Sequence, residues 1–184
     1  MVKEIISSAE GNMKKSVDVV RKEFGSLRAG RATPSLLDKI SVSYYGTPTP
    51  INQLANISVP EARMLVIQPW DKSAIPEIEK ALMKSDIGIT PSSDGTVIRL
   101  AVPQLTQERR KELVKIIKKK AEEGRVAVRN IRRDANESLK AKQKNGAPED
   151  EVKRGQDDLQ KLTDKYVKEI DETVKAKEQE IMQV

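Results

Sequence analysis

Proline is placed in this 184-residue chain so that it fixes the organisation: eight of nine prolines lie between Pro34 and Pro103, and the ninth is Pro148. A proline inside a helix removes a donor and clashes with the preceding turn, at a cost of about 3 kcal/mol. Long helices are therefore excluded from 31–104 and permitted on either side. Charge follows the same division. Residues 31–104 hold seven basic and seven acidic side chains and are net neutral, whereas the other 110 positions hold 27 basic and 21 acidic ones and carry the whole net charge of +6. The chain reads as a neutral, proline-bearing module inserted into a charged helical one. It is an α+β protein of two domains, residues 1–30 with 105–184 and residues 31–104.

The flanks predict three helices. Ile6, Ala9, Met13, Val17, Val20, Phe24 and Leu27 recur at spacings of three and four, the pattern of one buried helix stripe. A second helix is predicted from an N-cap at Thr106 through Leu113, Ile117, Ala121, Val128, Ile131, Ala135 and Leu139. Lys144-Asn145-Gly146-Ala147-Pro148 ends it with a glycine stop and a proline restart. Glu149, Asp150 and Glu151 then suit the positive end of a third helix, which carries Val152, Leu159, Leu162, Tyr166, Ile170 and Val174. Three stripes predict an antiparallel three-helix bundle. At 1.5 Å per residue the middle helix is roughly 58 Å long, against a radius of gyration of about 16 Å for a compact globule, so an elongated molecule is expected.

The insert predicts a small β/α/β domain. Ile40, Val42 and Tyr44 alternate with polar neighbours until Gly46-Thr47-Pro48-Thr49-Pro50 breaks the run, and Met64–Ile67 is a short buried strand. Ser73 is placed as the cap of a helix with Ile75, Ile78, Leu82 and Met83, and a Ser93-Asp94-Gly95 turn leads to a strand over Thr96–Val102. Two short connections, Arg28–Pro34 and Val102–Thr106, join the modules. They predict a hinge at Ala29, Gly30, Gln104 and Leu105, the other reading being one rigid unit.

The chain has no His and no Cys, which excludes imidazole bases, thiolate nucleophiles, disulfides and zinc–thiolate sites. No phosphate-binding G-x-x-x-x-G-K-[ST] loop occurs, so energy from nucleotide hydrolysis has to come from a partner. Neither a signal peptide nor a run of about 18 apolar residues is present. These features lead us to expect a non-catalytic, cytoplasmic protein without cofactor or metal. It is expected to be a monomer that does not engage membranes.

Residues 109–133 contain eleven basic and three acidic side chains. With Arg125 at zero and about 100° per residue, Arg132 falls near −20°, Lys118 near 20°, Lys111 and Arg129 near 40°, and Lys115 and Arg133 near 80°. Ile116, Ile131, Leu113, Ile117 and Ala135 fall between about 180° and 280°, so the basic arc is predicted to face away from the core. A plain charged face serves solubility. Density, and arginine in preference to lysine in the second half, point to phosphate, because guanidinium forks match its geometry and each contact releases counterions. Phe24 and Tyr166 sit at core positions, and packing is expected for Tyr44, Tyr45 and Trp70, so there are few stacking platforms for single strands. Folded RNA fits best. A helical scaffold or chaperone-like adaptor, which would bind independently of salt, remains the alternative.

Three stretches together resemble the ribosome recycling factor family. They are Arg28-Ala29-Gly30-Arg31-Ala32-Thr33-Pro34, the helix start Leu105-Thr106 with Glu108-Arg109-Arg110-Lys111, and Arg125-Val126-Ala127-Val128-Arg129-Asn130-Ile131-Arg132-Arg133-Asp134-Ala135-Asn136. The likeness runs end to end and includes Gln156-Asp157-Asp158-Leu159-Gln160-Lys161-Leu162-Thr163-Asp164. It implies an L-shaped molecule whose bundle arm and smaller arm meet at a flexible corner. It also implies that the chain binds the post-termination ribosome and, with elongation factor G, splits it into subunits so that messenger and deacylated transfer RNA leave. Carried over by motif, Arg132 is the foremost large-subunit RNA contact, with Arg129 and Arg133 beside it and Arg28 and Arg31 near the hinge. Arg125, Arg110 and Lys118 on the basic helix complete the expected RNA-binding set. Gly124 stands where the family usually has Ala, a change costing about 0.5 to 1 kcal/mol in helix propensity and predicting a softened helix there.

Overall fold

The computed structural model describes residues 1–27 and 29–183. In chain order the elements are α1 (Val2–Gly25), β1 (Ser41–Tyr44), β2 (Thr47–Pro50), β3 (Ala55–Glu61), β4 (Met64–Pro69), α2 (Ile75–Lys84), β5 (Ser92–Ser93), β6 (Ile98–Ala101), α3 (Gln107–Lys144) and α4 (Glu149–Gln183). They form two compact units, one of residues 1–27 and 107–183, the other of residues 29–106. No described helix is long and apolar enough to cross a membrane.

In the first unit α1, α3 and α4 pack against one another. Cross-links fix their directions. Arg125 reaches Asp171 and Arg132 reaches Gln160, so α3 and α4 run antiparallel, while Glu10 meets Tyr166 and Leu27 meets Lys177, so α1 and α4 run parallel. The predicted stripes supply the core: Met13, Val17, Val20 and Phe24 from α1, Leu113, Ile117, Ala121 and Val128 from α3, and Leu159, Tyr166 and Ile170 from α4 are buried. Between α3 and α4, Gly146 has φ +102° and the Ala147 N–H donates to the Lys142 carbonyl at 3.0 Å, the six-to-one bond by which a left-handed residue closes a helix.

Two glycines sit inside the bundle. A Cβ on Gly124 would lie 2.5 Å from Val20 Cγ2 and 3.3 Å from Ile170 Cδ1, and one on Gly155 would lie 3.0 Å from Val2 Cγ1 and 3.2 Å from Leu139 Cδ1. α3 runs through Gly124 as continuous helix. The glycine therefore lets three helices approach at one level, a packing gain that propensity alone does not reveal.

Tyr166 is 2% exposed, and its hydroxyl donates to Glu10 Oε2 at 2.8 Å. Burial first, and then the hydrogen bond to Glu10, push its pKa up to about 12. Because the folded value lies above the unfolded value near 10, this group's contribution is complete below that pH and is lost as pH rises towards 12. Urea unfolding should show Tyr166→Phe to be less stable at neutral pH by about 1 kcal/mol, the net worth of one hydrogen bond. Its stability should also decline less steeply between pH 10 and 12 than that of the parent. Parallel declines would refute the assignment.

In the second unit four antiparallel strands lie in the order β3-β4-β6-β5, pairing Leu65 with Leu100 and Ile67 with Ile98. These four side chains are fully buried and share one core with Val42, Ile51, Ile75, Ile78 and Leu82. Thr47–Pro50, expected to break a strand, is instead β2, paired antiparallel with β1 through a two-residue Tyr45-Gly46 loop. Both loop residues have positive φ, 48° and 78°, the geometry that matches hairpin twist. A two-stranded ribbon has a free edge that needs no donors, which accommodates Pro48 and Pro50. Asp71, not Ser73, caps the turn before α2: its Oδ1 accepts from the Ser73 N–H at 2.9 Å, and its Oδ2 from the Tyr44 hydroxyl at 2.9 Å. The Ser73 bonds first, then Tyr44, hold Asp71 below the usual carboxylate range.

Both connections are fastened to the β3–β4 turn. The Ala32 N–H donates to the Ala62 carbonyl and the Val102 N–H to the Arg63 carbonyl, each at 2.8 Å. Ala29, Gly30, Leu105 and Thr106 accordingly group with the smaller unit rather than with the bundle.

Candidate nucleic-acid interface

The basic residues of α3 divide by what α4 offers them. Lys111, Lys115, Lys118 and Arg133 are exposed. Arg125 and Arg132, at the edge of the predicted arc, lie instead against the flank of α4. Long guanidinium side chains reach about a helix radius sideways, so a residue pointing between helices on a wheel can be captured by its neighbour.

Arg125 is captured completely. Its Nε donates to Asp171 Oδ1 at 2.8 Å, its Nη2 lies 2.8 Å from the same oxygen, and its Nη1 meets Glu122 Oε2 at 3.0 Å. The side chain is 22% exposed. Burial opposes its charge, but the hydrogen bonds it donates to Asp171 and Glu122 outweigh that and raise its pKa. Carboxylates occupy both edges of the fork, so Arg125 clamps α3 to α4 and does not present itself to phosphate. Arg110 also leaves the expected set. It is 8% exposed and its Nη1 donates to the Ile181 carbonyl near the end of α4. A buried guanidinium tied to backbone cannot reach a phosphate on the surface.

Arg129 keeps a 42% exposed side chain, with Nη1 3.6 Å from Glu122 Oε1. Exposed pairs of this kind contribute about 0.2 to 1 kcal/mol, little enough for a phosphate to displace. Arg132 is half-buried and donates from Nη1 to Gln160 Oε1 at 2.8 Å, a neutral partner that leaves its charge intact. The α3 members of the set that remain available are thus Lys118, Arg129, Arg132 and Arg133. Arg31 is exposed at the start of the smaller unit, and Arg28 lies outside the described residues.

Aromatic side chains in the smaller unit depart from expectation. Tyr44 is half-buried, but Tyr45 is 84% and Trp70 69% exposed. The hairpin loop turns Tyr45 outward with its ring edge against Tyr44, centroids 4.6 Å apart. Sequence reasoning missed the role of Gln160 as well, whereas the spacing of Glu122 three residues before Arg125 already signals a helical ion pair.

Comparison with known proteins shows the family. The family model described as ribosome recycling factor matches residues 20–182. The chain is 85% identical to the ribosome-recycling factor of Desulforamulus reducens and 72% identical to that of Pelotomaculum thermopropionicum, covering 100% of each chain in both cases. Among solved structures it is similar to a solution structure of the ribosome recycling factor, with TM-score 0.77, 48% identity, and coverage of 100% of this chain and 98% of that one. A second, with TM-score 0.63, 44% identity and 98% coverage of both, is the T. thermophilus ribosome recycling factor, described with E. coli elongation factor G bound to the E. coli post-termination complex. With its inserted sheet unit, its three-helix bundle and a likeness that spans the whole chain, this protein belongs to the ribosome recycling factor family.

Proposed function

We propose that this chain recycles ribosomes: it binds the post-termination ribosome through large-subunit ribosomal RNA and, with elongation factor G, promotes separation of the subunits and release of messenger and deacylated transfer RNA, in the cytoplasm. The observation that carries this reading is the end-to-end likeness to the family at high identity, with no part of either chain left over. The division of charge supports it. Lys118, Arg129, Arg132 and Arg133 on α3 offer cations to phosphates, while the smaller unit is net neutral and suits a protein partner. No residue is assigned a chemical step; the protein partner's GTP hydrolysis supplies the work.

Motion in this scheme occurs at Ala29, Gly30, Gln104 and Leu105. Gly30 has φ +76°, a conformation open to glycine at little cost, and the backbone bonds that hold Ala32 and Val102 to the β3–β4 turn support a hinge at these four positions. Cosedimentation with large subunits across a salt series tests the anchoring. Four phosphate contacts at roughly 0.7 to 0.9 each give a log–log slope of about −3. A slope near zero would favour the scaffold reading instead.

A further inference from the structure

The α4 motif Gln156–Asp164 contributes two residues that neither the core nor the helix ends require. Gln160 Oε1 accepts from Arg132 Nη1 at 2.8 Å, and Gln160 Nε2 donates to Asp164 Oδ1 at 2.9 Å. The second bond decides the first. A carboxylate can only accept, so Asp164 fixes the amide with its NH2 towards position 164 and its carbonyl towards Arg132. Arg132 is then held through one nitrogen, and its Nε and Nη2 make no hydrogen bond or ion pair to the described residues. Those two nitrogens form the edge that binds a phosphate through two parallel bonds.

We infer that Gln160, oriented by Asp164, is a positioning residue that pre-sets the guanidinium of Arg132 for phosphate without neutralising it. The contrast with Arg125 shows what a charged partner does at the same interface. There Asp171 and Glu122 take both edges of the fork, and the side chain becomes an internal clamp. Residues 149–183 carry 11 acidic against 7 basic side chains, so an acidic neighbour is the common outcome on α4. At Arg132 an uncharged amide stands instead, with the acid set one residue further out. A guanidinium with a fixed orientation loses less freedom on binding, and one with an uncompensated charge still releases a counterion.

This inference rests on Arg132 being an RNA contact, and the experiment separates the two claims. The full-length protein and its Gln160→Glu, Gln160→Ala and Arg132→Ala variants are cosedimented with large subunits across a salt series, with melting temperature as a check on folding. Gln160→Glu should weaken binding about tenfold and make the log–log slope shallower by about 1, because the new carboxylate takes the place of the phosphate. Gln160→Ala should weaken binding only about threefold and leave the slope unchanged, because the charge remains but is no longer aimed. If Arg132→Ala weakens binding while Gln160→Glu does not, the positioning role is refuted and the contact stands. If Gln160→Glu and Gln160→Ala weaken binding equally with no change of slope, Gln160 is structural and the inference fails. If Arg132→Ala is silent, the contact itself is wrong and the inference falls with it.

Discussion

Arg132→Ala should weaken binding to isolated large subunits by about 1 to 3 kcal/mol, roughly 5- to 150-fold, and reduce the salt slope by close to one contact. The size follows from how little the side chain does for the fold. Its one internal partner is the exposed amide of Gln160, so truncation strands no buried charge and the melting temperature should hardly move. Arg125→Ala should behave in the opposite way. It removes the bond to Asp171 that joins α3 to α4, together with the bond to Glu122 within α3, so it should lower stability while leaving the slope near that of the parent. Measuring both variants by cosedimentation and by urea unfolding tests the division. Exchanged phenotypes would mean that Arg125 is the contact and Arg132 the clamp.

A second large effect is expected at Gly124. Replacing it with Val should destabilise the bundle by about 2 kcal/mol, and with Ala by about 1 kcal/mol. Overpacking costs of about 1 to 3 kcal/mol oppose a helix-propensity gain of up to about 1 kcal/mol. The crowding decides the sign, because the nearest atom, Val20 Cγ2 at 2.5 Å, belongs to a β-branched side chain held to one rotamer in a helix. Shortening that neighbour should reverse the outcome. In a Val20→Ala background, Gly124→Ala should become stabilising, since the methyl it meets is gone and the propensity gain remains. Urea unfolding of the four proteins in the cycle measures this coupling. If Gly124→Ala raises the midpoint in the parent background, α1 yields and the close approach is not a constraint.

Gly124 also shows where sequence reading stops. The stripes of α1, α3 and α4 were legible because spacings of three and four describe one buried face of a helix, and Met13, Val17, Val128 and Ile170 are indeed buried. Gly124 and Gly155 contribute to the same core through the absence of a side chain, and composition reads that only as a propensity loss. The β1–β2 hairpin was hidden for a related reason. Pro48 and Pro50 signal a break, and Tyr45-Gly46 lacks the asparagine or aspartate that usually marks such a loop, yet a ribbon with a free edge admits them all. β3 was missed because Ala55–Glu61 has only Ile57 and Val59 as large apolar residues and draws its order from pairing with β4.

The candidate interface was legible as a stripe but not as individual roles. Arg110, Arg125 and Arg132 are the same residue on one helix within about 60° of each other on the wheel, and in α3 itself only Glu122 beside Arg125 distinguishes them. Their fates are set by Ile181, Asp171 and Gln160, all on α4 and 28 to 71 positions away in sequence. Side-chain identity gives the capacity for phosphate binding. The register between two helices decides which residues exercise it.

Trp70 is the sole indole of the chain, and it stands open to water at the end of β4 while the bundle holds none. Emission excited at the red edge of the indole band therefore reports on the sheet unit alone. A quench or blue shift during a reaction with a second protein would time that protein's arrival on a native, unlabelled chain, with α3 and its RNA contacts optically silent.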